Sequence, residues 1–179
     1  MRAVQRAAGG FVAVFAAGHL LDSALRPEVC DEGYFVTLTV WTLAFTAYAA
    51  VVPCCPPALV AAALGTNVLV CALYYAVVNQ GVVNGASFLL HGGCSLVLAW
   101  LVSSGAVSSS GSPAAAGLLA GVFLTLNALA QLWHERRSKK QLYPTCGKFG
   151  HPAWRALLLP LLGAGLAAVV AHANSEARF

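Results

Sequence analysis

The segment Ser87–Trp100, SFLLHGGCSLVLAW, sets one imidazole, His91, near the start of an apolar run with no charged partner close in sequence. Upstream, YFVTLTVWTL carries two hydroxyls of similar placement, Thr37 and Thr39. A threonine hydroxyl becomes a nucleophile once a base takes its proton, and histidine is the base suited to neutral pH. Either threonine with His91 therefore makes a candidate nucleophile–base pair. Gly92 and Gly93 would let a neighbouring backbone or an acyl chain approach the imidazole closely. An oxyanion donor would be needed as well, and Asn84, Asn79 or a backbone N–H near Gly92 are the candidates. His134, Arg136 and Arg137 are placed to hold a free carboxylate.

The same residues have plainer uses. A threonine inside a helix can bond back to its own backbone, and His91 can join two helices by a hydrogen bond. His19 and His91, at one depth on different helices, would also suit one haem. The pattern otherwise asks for no cofactor and no metal: the six cysteines show no CxxC or histidine-spaced pair of the zinc type. Cys30 and Cys146 fall on one face of the expected topology and could bridge.

These groups need a scaffold, and composition names it. The chain of 179 residues is 59% hydrophobic and 9% charged, where soluble domains carry about 25% charged residues. No Asp, Glu, Lys or Arg occurs between Glu32 and Glu135. The fold class expected is all-α: a polytopic membrane protein forming a single domain over 1–179, with six transmembrane helices. A bilayer core about 30 Å thick takes about 20 helical residues. Runs of that kind cover Ala8–Leu25, Phe35–Val52, Ala58–Val78, Ala86–Val102, Ala114–Trp133 and Trp154–Ala171. PCCPP, NQG and SSGAVSSSGSP separate several of them, and Pro160 is tolerable as a membrane-helix kink. Gly117 and Gly121 form a small-xxx-small step that permits close helix approach. The basic head with Arg2 and Arg6 resembles that of a signal peptide or organellar presequence, but the first run is expected to be retained as a span.

Six spans in series put the loops after spans 1, 3 and 5 on one face. Polar residues gather there: His19, Asp22, Thr37, Thr39, Asn79, His91, Asn127, Gln131, His134 and His151. Thr46, Thr66, Asn67, Thr125 and His172 lie elsewhere. Ionisable groups within spans are costly and tend to face a bundle interior or a water-filled cavity, so a polar cavity on the odd-loop face is expected. That face also carries most of the Lys and Arg, which places it on the cytoplasmic or matrix side. The loop HERRSKK serves as a topological anchor or contacts anionic head groups. Membrane lipids are the expected partners, with no nucleic acid.

The order of LT in YFVTLTVWTL, HG in FLLHGGCSLVLAWL, and WH followed by YP in LWHERRSKKQLYPTCGKFGHPAWR resembles the androgen-induced and androgen-dependent TFPI-regulating protein family. It is also similar to the rolling stone proteins. The resemblance runs from Tyr34 onward. It implies an intramembrane threonine hydrolase that cleaves fatty-acid esters of hydroxy fatty acids. Carried over by motif, the nucleophile is Thr39 and the base His91, with an endomembrane or plasma-membrane location. The chain departs from the family in its short PCCPP loop and in having no carboxylate after the HG segment. Those departures motivate an alternative: a non-catalytic accessory or scaffold subunit of an organellar membrane complex, for example in the mitochondrial inner membrane, with other subunits as partners.

Overall fold

The computed structural model describes residues 2–25, 37–52, 54–78, 85–142 and 151–176. Helices α1 (Arg2–Leu25), α2 (Leu38–Val51) and α3 (Pro57–Leu73) come first, and α3 continues into a π-helical turn, Tyr74–Val78. The fourth rod is composite: α4 (Gly85–Phe88), a second π turn (Leu89–Gly93) and α5 (Cys94–Ser103). Helices α6 (Pro113–Ser138) and α7 (Pro152–Glu176) complete six rods, with no strand among the described residues. Three of them, Pro57–Val77, Pro113–Ser138 and Pro152–Glu176, are long and apolar enough to cross a membrane, and shorter apolar helices cover Ala7–Leu21, Leu38–Val51 and His91–Ser103.

Proline sets several starts. Pro57 and Pro113 occupy first-turn positions of α3 and α6, where the missing N–H would have had no helical partner. Ser112 adds a cap, accepting from the Ala115 amide at 3.3 Å. The fifth expected span ends at Trp133, yet α6 runs on to Ser138 before Lys139 turns left-handed at φ 55°. The added turn is held from outside by an ion pair to α7, described below. Pro160 sits inside α7 without ending it.

Helix α3 is the hub. Ten of its residues, from Val60 to Val70, are buried, which places them on every side of the helix, as expected of a rod enclosed by neighbours. On one flank Ala63, Leu64 and Val60 pack with Ala49 of α2 and Leu98 and Val102 of α5. On the other, Ala61 and Ala62 meet Ala116 and Ala120 of α6 and Ala167 and Ala171 of α7 in a seam whose buried residues are alanines. Side chains that small let backbones come close. At Gly65 the approach is closest: an added Cβ would lie 2.6 Å from the Ala167 Cα. The Gly117–Gly121 step does face α7, against the Ala164 carbonyl and the Ala164 Cβ respectively. Helix α1 closes the α2–α5 side through Val12 and Ala16, which pack on Leu43 and Cys94.

The C-terminal end of α6 and the N-terminal end of α7 carry exposed tryptophans, Trp133 and Trp154. Such residues favour the boundary between hydrocarbon and head groups.

Candidate functional site

Thr39 lies in the first turn of α2, and His91 in the middle of the π turn that joins α4 to α5. The Thr39 Oγ1 and His91 Nδ1 are 3.4 Å apart. That is long for a formed hydrogen bond but within the looseness catalytic pairs show without substrate. For Nδ1 to accept the hydroxyl proton, the imidazole must carry its own proton on Nε2. Thr37 sits instead at the N-cap of α2 in extended conformation. The 3.4 Å approach to the ring is made by Thr39.

The imidazole is 7% exposed and covered by Tyr74, whose ring stacks on it with centroids 3.4 Å apart and planes inclined by 17°. Both residues belong to π turns, a wider helical form that recurs at functional sites. Tyr75 packs edge-on against Tyr74 at 5.2 Å, and its hydroxyl is buried without a hydrogen-bond partner among the described residues.

Below the pair runs a seam of hydrogen bonds through three helices. The Cys71 thiol donates to the His91 carbonyl and lies 3.6 Å from the Ser95 hydroxyl. Ser95 donates to Asn67 Oδ1 at 2.9 Å. Asn67 Nδ2 donates to the Thr46 hydroxyl and to the Ala63 carbonyl at 3.0 Å. Thr46 in turn donates to the Thr42 carbonyl at 2.8 Å. Asn67 and Thr46, which sequence reasoning set apart from the site, are its deeper end. The signal was periodicity: Thr39, Thr42 and Thr46, then Asn67, Cys71 and Tyr74, then His91 and Ser95, each form a stripe at helical spacing.

A second polar group joins α6 to α7. Arg155, 5% exposed, pairs with Glu135 at 2.6 Å and donates to Gln131 Oε1 at 2.8 Å. Gln131 donates to Asn127 at 2.7 Å, and the other Glu135 oxygen accepts from the Leu142 amide at 2.8 Å. With its charge matched by Glu135, Arg155 acts as a clamp between helices. Leu38, next to Thr39, shares an apolar cluster with Leu124 and Leu159, one turn from Asn127 and Arg155.

The residues expected to hold a substrate carboxylate lie apart from the pair. His134 is buried on α6, while Arg136 and Arg137 are exposed, with the Arg137 guanidinium 5.4 Å from the centre of the Trp133 ring. No hydrogen bond or ion pair joins these three to Thr39 or His91 among the described residues. Asn84 and Asn79 lie outside the described residues, as do Cys30 and Cys146. Gly92 is inside the π turn, where backbone N–H groups are engaged in helical bonding. His19 stacks on Phe15 at 6.4 Å. No group of three or more metal-ligating side chains occurs among the described residues. Cys54, Cys55, Cys71 and Cys94 are free thiols.

Compared with known protein families, curated proteins and solved structures, the chain matches none.

Proposed function

We propose that this chain is a multi-pass membrane protein that hydrolyses lipid esters, with Thr39 as nucleophile and His91 as base. The observation that carries the reading is the 3.4 Å approach of Thr39 Oγ1 to His91 Nδ1 between two different helices. The resemblance of the LT and HG segments to the threonine hydrolases, made from sequence, names the same two residues and suggests fatty-acid esters of hydroxy fatty acids as substrates.

In this mechanism the Thr39 oxygen attacks the ester carbonyl carbon as its proton passes to His91 Nδ1. The tetrahedral species collapses when the imidazolium returns that proton to the departing alkoxide oxygen, leaving an acyl group on Thr39. His91 then takes a proton from water, whose oxygen attacks the acyl carbon, and the proton returns to Thr39 as the fatty acid leaves. Tyr74 stacked on the ring limits its rotation and keeps Nδ1 toward Thr39. In a bundle of six spans, the ester would reach the pair laterally from the bilayer and water would reach it from the odd-loop face.

The test is turnover of a fatty-acid ester of a hydroxy fatty acid in mixed micelles, together with labelling by a fluorophosphonate. Thr39→Val and His91→Gln should each abolish turnover, and Thr39→Val should abolish labelling, while both proteins remain folded. A folded wild-type chain that neither turns over the ester nor takes the label refutes the hydrolase and favours the accessory-subunit reading.

A further inference from the structure

We infer that Asn67 is a positioning residue that sets the separation of Thr39 and His91, an inference that rests on the hydrolase reading above. Thr39 and His91 belong to different rods, and apolar contacts such as Leu43 with Cys94 and Ala49 with Leu98 hold those rods together. Such contacts are non-directional. They allow one rod to slide or roll on the other. Hydrogen bonds have preferred distances and angles and so fix a register.

Asn67 makes those bonds to both rods at once. Its amide nitrogen donates to Thr46 on α2, seven positions after Thr39 on the same stripe. Its amide oxygen accepts from Ser95 on α5 at 2.9 Å, four positions after His91. With a helical rise of about 1.5 Å per residue, the bridge lies about one to two turns beneath the reacting atoms. The second amide hydrogen goes to Ala63 of its own helix at 3.0 Å, which fixes the plane of the side chain. Both hydrogens and the oxygen are therefore engaged, and the residue is only 6% exposed. One turn above, Cys71 repeats the tie on the histidine side by donating to the His91 carbonyl, where the helical ladder changes from π to α spacing.

The consequence is a division of labour on α3. The helix supplies no atom to the proposed reaction, yet its polar stripe sets where the two reacting side chains stand. A misplacement of about 1 Å in such a pair costs on the order of 100-fold in rate.

Asn67→Leu removes all three bonds while keeping the volume similar. Thr46 keeps its bond to Thr42, and Ser95 can turn to its own helix backbone, so the variant is expected to fold. Its kcat should fall about 10- to 100-fold with KM within about twofold, because the lost alignment matters to the reacting geometry and not to holding the acyl chains. The second readout is the nitrogen-15 resonance of His91 Nδ1 in histidine-labelled protein, assigned by its loss in His91→Gln. It should move in the direction that Thr39→Val moves it. A folded Asn67→Leu protein with wild-type kcat and an unmoved Nδ1 resonance overturns the inference. If the wild-type chain turns over no lipid ester, the hydrolase reading falls alone. The resonance still decides the bridge: movement supports it and constancy overturns it. Should Asn67→Leu fail to fold, Thr46→Val and Ser95→Ala each remove one arm, and the same two readouts apply.

Discussion

Removing Glu135 from its pair with Arg155 should cost far more than removing the pair. The guanidinium and carboxylate are 2.6 Å apart with side chains 5% and 9% exposed. At an effective dielectric of about 20 their attraction is about 6 kcal/mol. Withdrawing each ion from water costs several kcal/mol, so the pair as a whole roughly breaks even against apolar replacements. Breaking it leaves one charge buried without its counterpart, at a cost of about 3–5 kcal/mol. Glu135→Leu and Arg155→Met should each lose that much, with unfolding temperatures lower by on the order of 10 °C. The double variant should be more stable than either single one, with a coupling of several kcal/mol in the resulting cycle. The assay is equilibrium unfolding in mixed micelles of rising denaturing-detergent content, followed by tryptophan fluorescence. Single variants within about 0.5 kcal/mol of wild type would refute the reasoning by showing that water screens the pair as at a surface. So would a double variant no better than the worse single one.

Gly65→Ala should destabilise the chain by about 1–3 kcal/mol, because the new Cβ would meet the Ala167 backbone at 2.6 Å, whereas Gly10→Ala enters open space within α1 and should stabilise by about 0.5–1 kcal/mol; equal effects in the same unfolding assay would contradict the packing of α3 on α7. Tyr75→Phe deletes a buried hydroxyl without a partner among the described residues, so stability should hold or rise by about 1 kcal/mol; a marked loss would mean that the hydroxyl is bonded. In the turn between α2 and α3, Cys54 is exposed and Cys55 buried, and burial pushes the Cys55 thiol above its ordinary pKa. Less of Cys55 is then thiolate at a given pH, so maleimide should modify Cys54 first, and Cys55 should need a higher pH. Peptide mass spectrometry reads both sites, and equal rates at pH 7 would contradict that placement.

The segmentation of the chain was legible because apolar runs and prolines declare themselves. PCCPP and SSGAVSSSGSP do separate helices, and Thr39 and His91 do fall within reach of one another. Two features were not legible. The π turns at Tyr74–Val78 and Leu89–Gly93 depend on how rods meet, since nothing in YYAVV or LLHGG forbids an ordinary α-helix. The pairing of Arg155 with Glu135 was hidden because charged residues at span ends also serve as topology signals. It also explains why α6 outruns its apolar stretch. Asn67 was visible as a polar residue in a span, but its role needed the identity of the neighbours, Thr46 and Ser95, that only tertiary structure supplies.

The central place of α3 has a consequence for biosynthesis. Ribosomes deliver the chain from its N-terminus, so α2 is made before α3. Thr46 is then on hand to receive one amide hydrogen of Asn67, and Ala63 of the same helix receives the other. The amide oxygen must wait for Ser95 to emerge on a later rod. A nascent chain halted between those two moments holds an unmet acceptor on a helix long and apolar enough to cross a membrane, where an unsatisfied polar group is costly.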